Sequence, residues 1–160
     1  MGRREPPALG PRGEGWVAIQ VALLLLLVAA GALGPQWPDA LERPLLAAAF
    51  VVGVPGAVLF LGGALHLGAQ LTPYPRPVPG GSLRDGGIYA LVRHPIYGGV
   101  LLLALAWSLA TSWLALGPTV LLAVLFALKS RREELWLAEH HEGYAAYRER
   151  VRRRFIPWVW

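Results

Sequence analysis

Cysteine is absent from this chain, which excludes a disulfide framework and any thiolate chemistry. Charge is also sparse: 16% of residues are ionic, against about 25% in soluble domains. No Gly-x-Gly-x-x-Gly follows a strand pattern, so a Rossmann nucleotide site is excluded. No His-Glu-x-x-His occurs, and the neighbours His140 and His141 would point apart on a helix, so no metal site is expected. A serine triad and an internal repeat are missing too.

What fills the chain instead is apolar surface, 55% of its 160 residues. Four apolar stretches can be read. The first, Trp16 to Leu33, holds 18 residues with Gln20 as its strongly polar member. The second, Leu45 to Leu67, holds 23 and has His66 near its end. The third and fourth share the 33 residues from Ile96 to Leu128, too many for one span of about 20. They suit two helices of about 16 residues, each roughly 24 Å long, turning at Thr111-Ser112. The expected fold is all-α and integral to a membrane: four transmembrane helices, the last two a tight hairpin, plus a cytoplasmic C-terminal helical segment. The apolar core of the first stretch is too long for a cleaved signal peptide.

A net charge of +5 raises nucleic acid as a partner, but the basic residues flank the apolar runs, as they do beside anionic headgroups. Arg43 alone of the 15 Lys and Arg would lie on the far side of a four-span protein. The positive-inside rule then puts both termini, and the loop from Gly68 to Pro95, in the cytoplasm. Residues 1–15, rich in Gly, Pro and Arg, are expected to be disordered, leaving 16–160 as one membrane domain. In the second stretch Gly53, Gly56, Gly62 and Gly63 suit close helix contact, and Pro55 suits a kink. The prolines of Thr72 to Gly81 demand an extended path. From Lys129 to Arg154 the pattern is helical, with Gly143 as a break point. The aromatic tail Phe155 to Trp160 suits a headgroup zone.

Candidate chemistry gathers in two places. Tyr89, Arg93, His94 and Tyr97 crowd into nine residues before the third helix, and ionisable groups at the mouth of a span are costly and often functional. Glu133 and Glu134 follow the fourth. A hairpin would bring both groups to one membrane face, under the proline-rich loop. Plain readings stand beside this one. Arginines anchor helix ends, tyrosines form interfacial belts, and Glu133 and Glu134 can pair at the surface with Arg131 and Arg132.

The run Gly87-Ile88-Tyr89-x3-Arg93-His94-Pro95-x-Tyr97-x-Gly99, then Glu133-Glu134, then Tyr144-x2-Tyr147-x3-Val151, resembles the isoprenylcysteine carboxyl methyltransferase family. Phospholipid methyltransferases belong to the same superfamily, and the likeness covers roughly Leu67 to Trp160. The resemblance implies a membrane methyltransferase using S-adenosylmethionine on a membrane lipid or a hydrophobic small-molecule acceptor bearing a carboxylate, amine or thiol. By motif, Arg93 and Glu134 would be catalytic, at the meeting of donor and acceptor. Gln70, Tyr89, His94, Pro95, Tyr97, Glu133 and Tyr147 would bind the cofactor, with Tyr144 lining the pocket. An arginine can grip a carboxylate with two hydrogen bonds, and for Arg93 that carboxylate is the acceptor's or the cofactor's. Sterol-type reductases, which use a nicotinamide cofactor, share a similar C-terminal membrane architecture and supply the alternative enzyme class. A non-catalytic membrane protein that retains the pocket is the third reading.

Overall fold

The computed structural model describes residues 5–157 and 159. Its helices are α1 (Glu14–Leu33), α2 (Asp39–Leu67), α3 (Pro95–Ala110), α4 (Leu116–His140) and α5 (Tyr144–Arg150). The architecture is all-helical. Three helical stretches are long and apolar enough to cross a membrane: α1, α2 with the turn that follows it, and α4 with the turn that precedes it. The fourth apolar helix, α3, has 16 residues and is shorter. Large apolar side chains such as Leu25, Phe50, Val51 and Leu65 stand exposed on the outer faces, a surface that suits lipid.

Two element boundaries differ from expectation. α2 begins at Asp39 rather than Leu45, because Asp39 and Glu42 sit in its first turn, where carboxylates meet the positive end of the helix dipole. α4 does not stop near Leu128. No glycine or proline occurs between Pro118 and Glu142, so the helix runs on to His140 and carries Glu133 and Glu134 inside it. The break comes just before Gly143, and α5 follows.

The tight hairpin of α3 and α4 gives way to a different pairing, since α3 makes its widest contact with α2. Small residues are the cause. A Cβ on Gly99 would stand 2.5 Å from the Phe60 amide nitrogen and 2.7 Å from the Gly56 carbonyl oxygen. Backbones approach this closely only where side chains are missing. α1 packs chiefly on α4. Leu27, Leu101, Leu122, Leu125 and Phe126 form the core between α1, α3 and α4, closed by Phe155 from the tail. At the end far from the polar clusters, Trp37 donates to the Ser108 carbonyl (3.0 Å) and Ser112 Oγ to the Pro35 carbonyl (2.7 Å), stitching the two short loops together.

At the other end the chain from Leu71 to Gly86 follows the extended path that its prolines impose, between 3-10 turns at Gly68–Gln70 and Gly87–Ala90. Part of the N-terminal stretch expected to be disordered, residues 1–4, lies outside the described residues, as do Trp158 and Trp160 of the aromatic tail. Residues 5–13 run along the proline loop. Trp16 Nε1 donates to the Pro7 carbonyl (3.1 Å), Arg76 to the Pro11 carbonyl (2.9 Å), and the Arg12 guanidinium lies 4.4 Å from the Tyr74 ring centre.

Candidate functional site

The site forms where three elements meet: the Gly87–Ala90 turn leading into α3, the C-terminal half of α4, and α5 with the residues after it. Pro95 occupies the first turn of α3, where a missing N–H costs nothing, and it fixes His94 at the helix entry. Arg93 N and His94 N donate to the carbonyls of Arg153 (3.1 Å) and Arg154 (2.8 Å), so the tail lies along the entry segment like a short strand.

Arg93 and Glu134, both buried, face each other here. Arg93 Nε and Nη2 each reach Glu134 Oε1 at 3.0 Å, while Nη1 donates to the carbonyls of Val151 (2.6 Å) and Arg152 (2.8 Å). His94 Nε2 lies 3.1 Å from the same Glu134 oxygen, and Arg154 Nη2 reaches Oε2 at 3.3 Å. One carboxylate thus gathers three side chains from two segments. Uncompensated, a charge at that depth would be strongly destabilising.

Glu133, the neighbouring residue on α4, points elsewhere. It accepts from the Tyr97 hydroxyl at 2.6 Å and stands 3.9 Å from His94 Nδ1. The Tyr97 ring is stacked between His94 and Phe126, with centroid distances of 5.4 and 4.7 Å. Tyr147 donates to the Tyr89 carbonyl (2.8 Å), fixing the 3-10 turn on α5. Burial pushes the phenols of Tyr89, Tyr144 and Tyr147 well above their usual pKa, and the charge of Glu133 adds to the effect at Tyr89. All three are neutral hydroxyls at physiological pH. The Tyr144 hydroxyl is buried and has no hydrogen-bond partner among the described residues, an expensive state for a donor.

Two cavities flank this frame. The more polar of the two is a cleft of about 110 Å³, where Gln70, Arg76, Ser82, Arg84, Tyr144 and Tyr147 are interleaved with Leu67, Val78, Leu83 and Leu137. The other is a mainly apolar cavity of about 320 Å³, walled by Phe60, Leu71, Ile96, Tyr97, Val100 and Lys129. Tyr89, Arg93 and Glu133 line both. Of the residues expected at the site, Gln70 and Tyr147 border the cleft and His94 and Tyr97 the apolar cavity. Glu134 sits behind Arg93, and Pro95 is buried at the α2–α3 contact beside Gly63.

Sequence reasoning passed over Lys129, Gln20 and Arg154. Lys129 reads as a flanking charge, yet it is fully buried and donates to Gln20 Oε1 (2.6 Å) and the Pro73 carbonyl (2.9 Å). The available signal was the pair itself, since two polar side chains in separate apolar helices tend to find each other.

Comparison with known proteins brings one relative. Over 85 residues the chain is 35% identical to the Delta(14)-sterol reductase TM7SF2 of Mus musculus, a match that takes in 51% of this chain and 20% of the relative. The chain therefore spans about a fifth of the length of the curated relative that it matches. No family model matches it. This relative is a reductase, and it overturns the expectation of a methyltransferase, of methyl transfer to a lipid-like acceptor, and of S-adenosylmethionine as cofactor. The reason for the misreading is physical. The Arg-His-Pro-x-Tyr and Glu-Glu elements spend their polar atoms largely on each other and on the backbone, so they describe a scaffold, and one scaffold serves more than one chemistry.

Proposed function

We propose that this chain is a membrane-embedded reductase that saturates a carbon–carbon double bond in a lipid-like substrate, with hydride from a nicotinamide nucleotide. The observation that carries the reading is the junction of the two cavities at Tyr89, Arg93 and Glu133. Such a reaction needs a polar, anionic hydride donor and an apolar acceptor side by side. The polar cleft and the apolar cavity offer separate compartments for the two, with a shared wall. The partial likeness to a sterol reductase supports the same class.

The cleft offers donors that suit the phosphate-bearing part of a nucleotide. Arg76 and Arg84 supply positive charge, Gln70 and Ser82 supply polar groups, and the Tyr144 hydroxyl is a buried donor without an acceptor among the described residues. A bound nicotinamide would supply the hydride. This chain's residues then have three tasks. Arg93, held by Glu134, fixes the wall between the compartments. The apolar cavity excludes water from the reacting carbons. Glu133, reached from both sides and bonded to Tyr97, offers the route by which a proton from the cleft reaches the second carbon.

In this reading residues 16–160 form one membrane domain, α3 crosses along with the three longer helices, and both termini share the cytoplasmic face with the loop of residues 68–94. The one-sided charge distribution supports that orientation. Reporters fused to the two ends should give the same-side signal. The activity is tested on detergent-purified protein by calorimetric titration with NADPH, NADH and S-adenosylmethionine, and by mass spectrometry of lipids from cells with and without the protein. A nicotinamide nucleotide should bind, and one lipid class should gain two hydrogens. Absence of nucleotide binding above background would end the proposal.

A further inference from the structure

The apolar cavity contains one feature that a purely hydrocarbon ligand does not explain. Lys129 is fully buried and forms part of the cavity wall. Its partners among the described residues are neutral: Gln20 Oε1 at 2.6 Å, the Pro73 carbonyl at 2.9 Å, and the face of Tyr97, whose ring centre is 5.1 Å from Nζ. An ammonium has three N–H donors, and two are taken. Glu133 lies one turn further along the same helix and its charge attracts the ammonium, but its carboxylate is bonded to the Tyr97 hydroxyl (2.6 Å) and stands 3.9 Å from His94 Nδ1, with no hydrogen bond to Nζ. A buried cation whose direct contacts are all neutral is costly, and a charge within a membrane domain is a functional feature by default. The three groups around Nζ come from α1, the proline loop and α3, so the amine is held at a fixed point of the wall.

We infer that Lys129 reads the headgroup of the substrate, and that the apolar cavity takes an amphipathic carboxylate, its hydrocarbon against Phe60, Ile96 and Val100 and its carboxylate oxygen on the Lys129 ammonium. The inference rests on the reading of this cavity as the substrate site and names the substrate class. A carboxylate supplies both the acceptor for the remaining N–H and a negative charge in direct contact with it. A neutral alcohol supplies only the first, and an alkyl amine neither. A lysine serving only to tie three elements together would give no such ranking.

The test uses the full chain in lipid nanodiscs with cis-parinaric acid as a fluorescent probe, displaced by oleate, oleyl alcohol or oleylamine. Oleate should compete at about tenfold lower concentration than oleyl alcohol, with oleylamine weakest, because a charge-assisted hydrogen bond exceeds a neutral one by roughly that factor. In Lys129→Met the advantage of oleate should vanish while the alcohol competes as before, and Lys129→Arg should restore part of it. Equal competition by oleate and oleyl alcohol in the wild-type protein would overturn the inference, as would an oleate preference that survives Lys129→Met. The wild-type ranking decides alone if the variant does not fold. Titration of NADPH on the same samples separates the two claims. Loss of the ranking with NADPH binding intact removes the headgroup assignment only. A ranking without nucleotide binding removes the reductase reading and leaves Lys129 as a headgroup reader.

Discussion

Arg93 and Glu134, 41 positions apart in sequence, share a carboxylate oxygen at 3.0 Å from two guanidinium nitrogens. The contact joins the entry of α3 to the C-terminal half of α4, and through Val151 and Arg152 it holds the tail as well. Every guanidinium nitrogen of Arg93 is engaged within the protein. This pair therefore bears on stability before it bears on turnover. Glu134→Ala should cost about 3–5 kcal/mol, since the buried Arg93 loses its carboxylate, and Arg93→Ala should cost less, because Arg154 and His94 still face Glu134. Thermal unfolding in detergent, followed by tryptophan fluorescence, measures the loss. The double variant Arg93→Met/Glu134→Met should lose much less than the two single losses combined. Additive losses would mean that the two side chains are energetically independent.

Tyr144 offers the opposite case, a polar atom whose removal should relieve the fold. Its hydroxyl is buried without a partner among the described residues, so Tyr144→Phe is expected to leave stability unchanged or raise it by up to about 1 kcal/mol. If the polar cleft holds a nucleotide, the same change should weaken NADPH binding by about tenfold through one lost hydrogen bond. Calorimetry and thermal unfolding on one preparation read both effects. A clear loss of stability would show that the hydroxyl has a partner in the folded protein.

Much of the scaffold was legible because lipid imposes length and polarity rules that act locally. An uninterrupted apolar run such as Trp16–Leu33 has few alternatives to a helix, and the Thr111-Ser112 break marks a turn by polarity alone. The length of α4 was less plain, since an apolar run ends at Leu128 while the helix continues on polar residues that pack against the tail. The partner of α3 was hidden for another reason. Glycines in α2 announce a close contact without saying with which helix. Convergence of the Arg93 and Glu134 clusters follows from one reversal of the chain. The chemistry does not follow, because these residues bond mainly to one another and leave substrate recognition to positions with no motif, Lys129 among them.

The seam between α2 and α3 predicts a graded response to added methyl groups. In Gly99→Ala the new Cβ meets backbone atoms of Phe60 and Gly56, which move only if the helices separate. A loss of about 1–3 kcal/mol is expected. Gly62→Ala in the middle of α2 meets only the Ile88 side chain at 3.6–3.8 Å, an ordinary contact, and should gain up to about 1 kcal/mol from helix propensity. Thermal unfolding of both variants gives the comparison, and equal effects would contradict the close approach at Gly99.

Alkaline pH should destabilise the protein through its buried phenols. Burial raises the pKa of Tyr89, Tyr144 and Tyr147 in the folded state, while in the unfolded chain a tyrosine ionises near pH 10, about its unperturbed value. Below that pH both states keep the protons and the contribution to stability is complete. Above it the unfolded chain releases protons that the folded chain retains, so stability falls as pH rises toward the folded values. Unfolding temperatures measured from pH 8 to pH 11 should be flat and then drop above about pH 10. A flat profile throughout would indicate that these hydroxyls are exposed.

The carbonyls that hold Arg93 and His94 belong to residues 151–154, downstream of every apolar helix. They therefore lie beyond α4 in sequence order. The helical frame precedes its own polar centre along the chain, and Arg93 and Glu134 depend on backbone contributed after α5. A fragment cut at His140 would keep α1 to α4 and still lack the Val151 and Arg152 carbonyls that anchor the Arg93 guanidinium, so the order of the buried ion pair is set by a segment that contributes no apolar helix of its own.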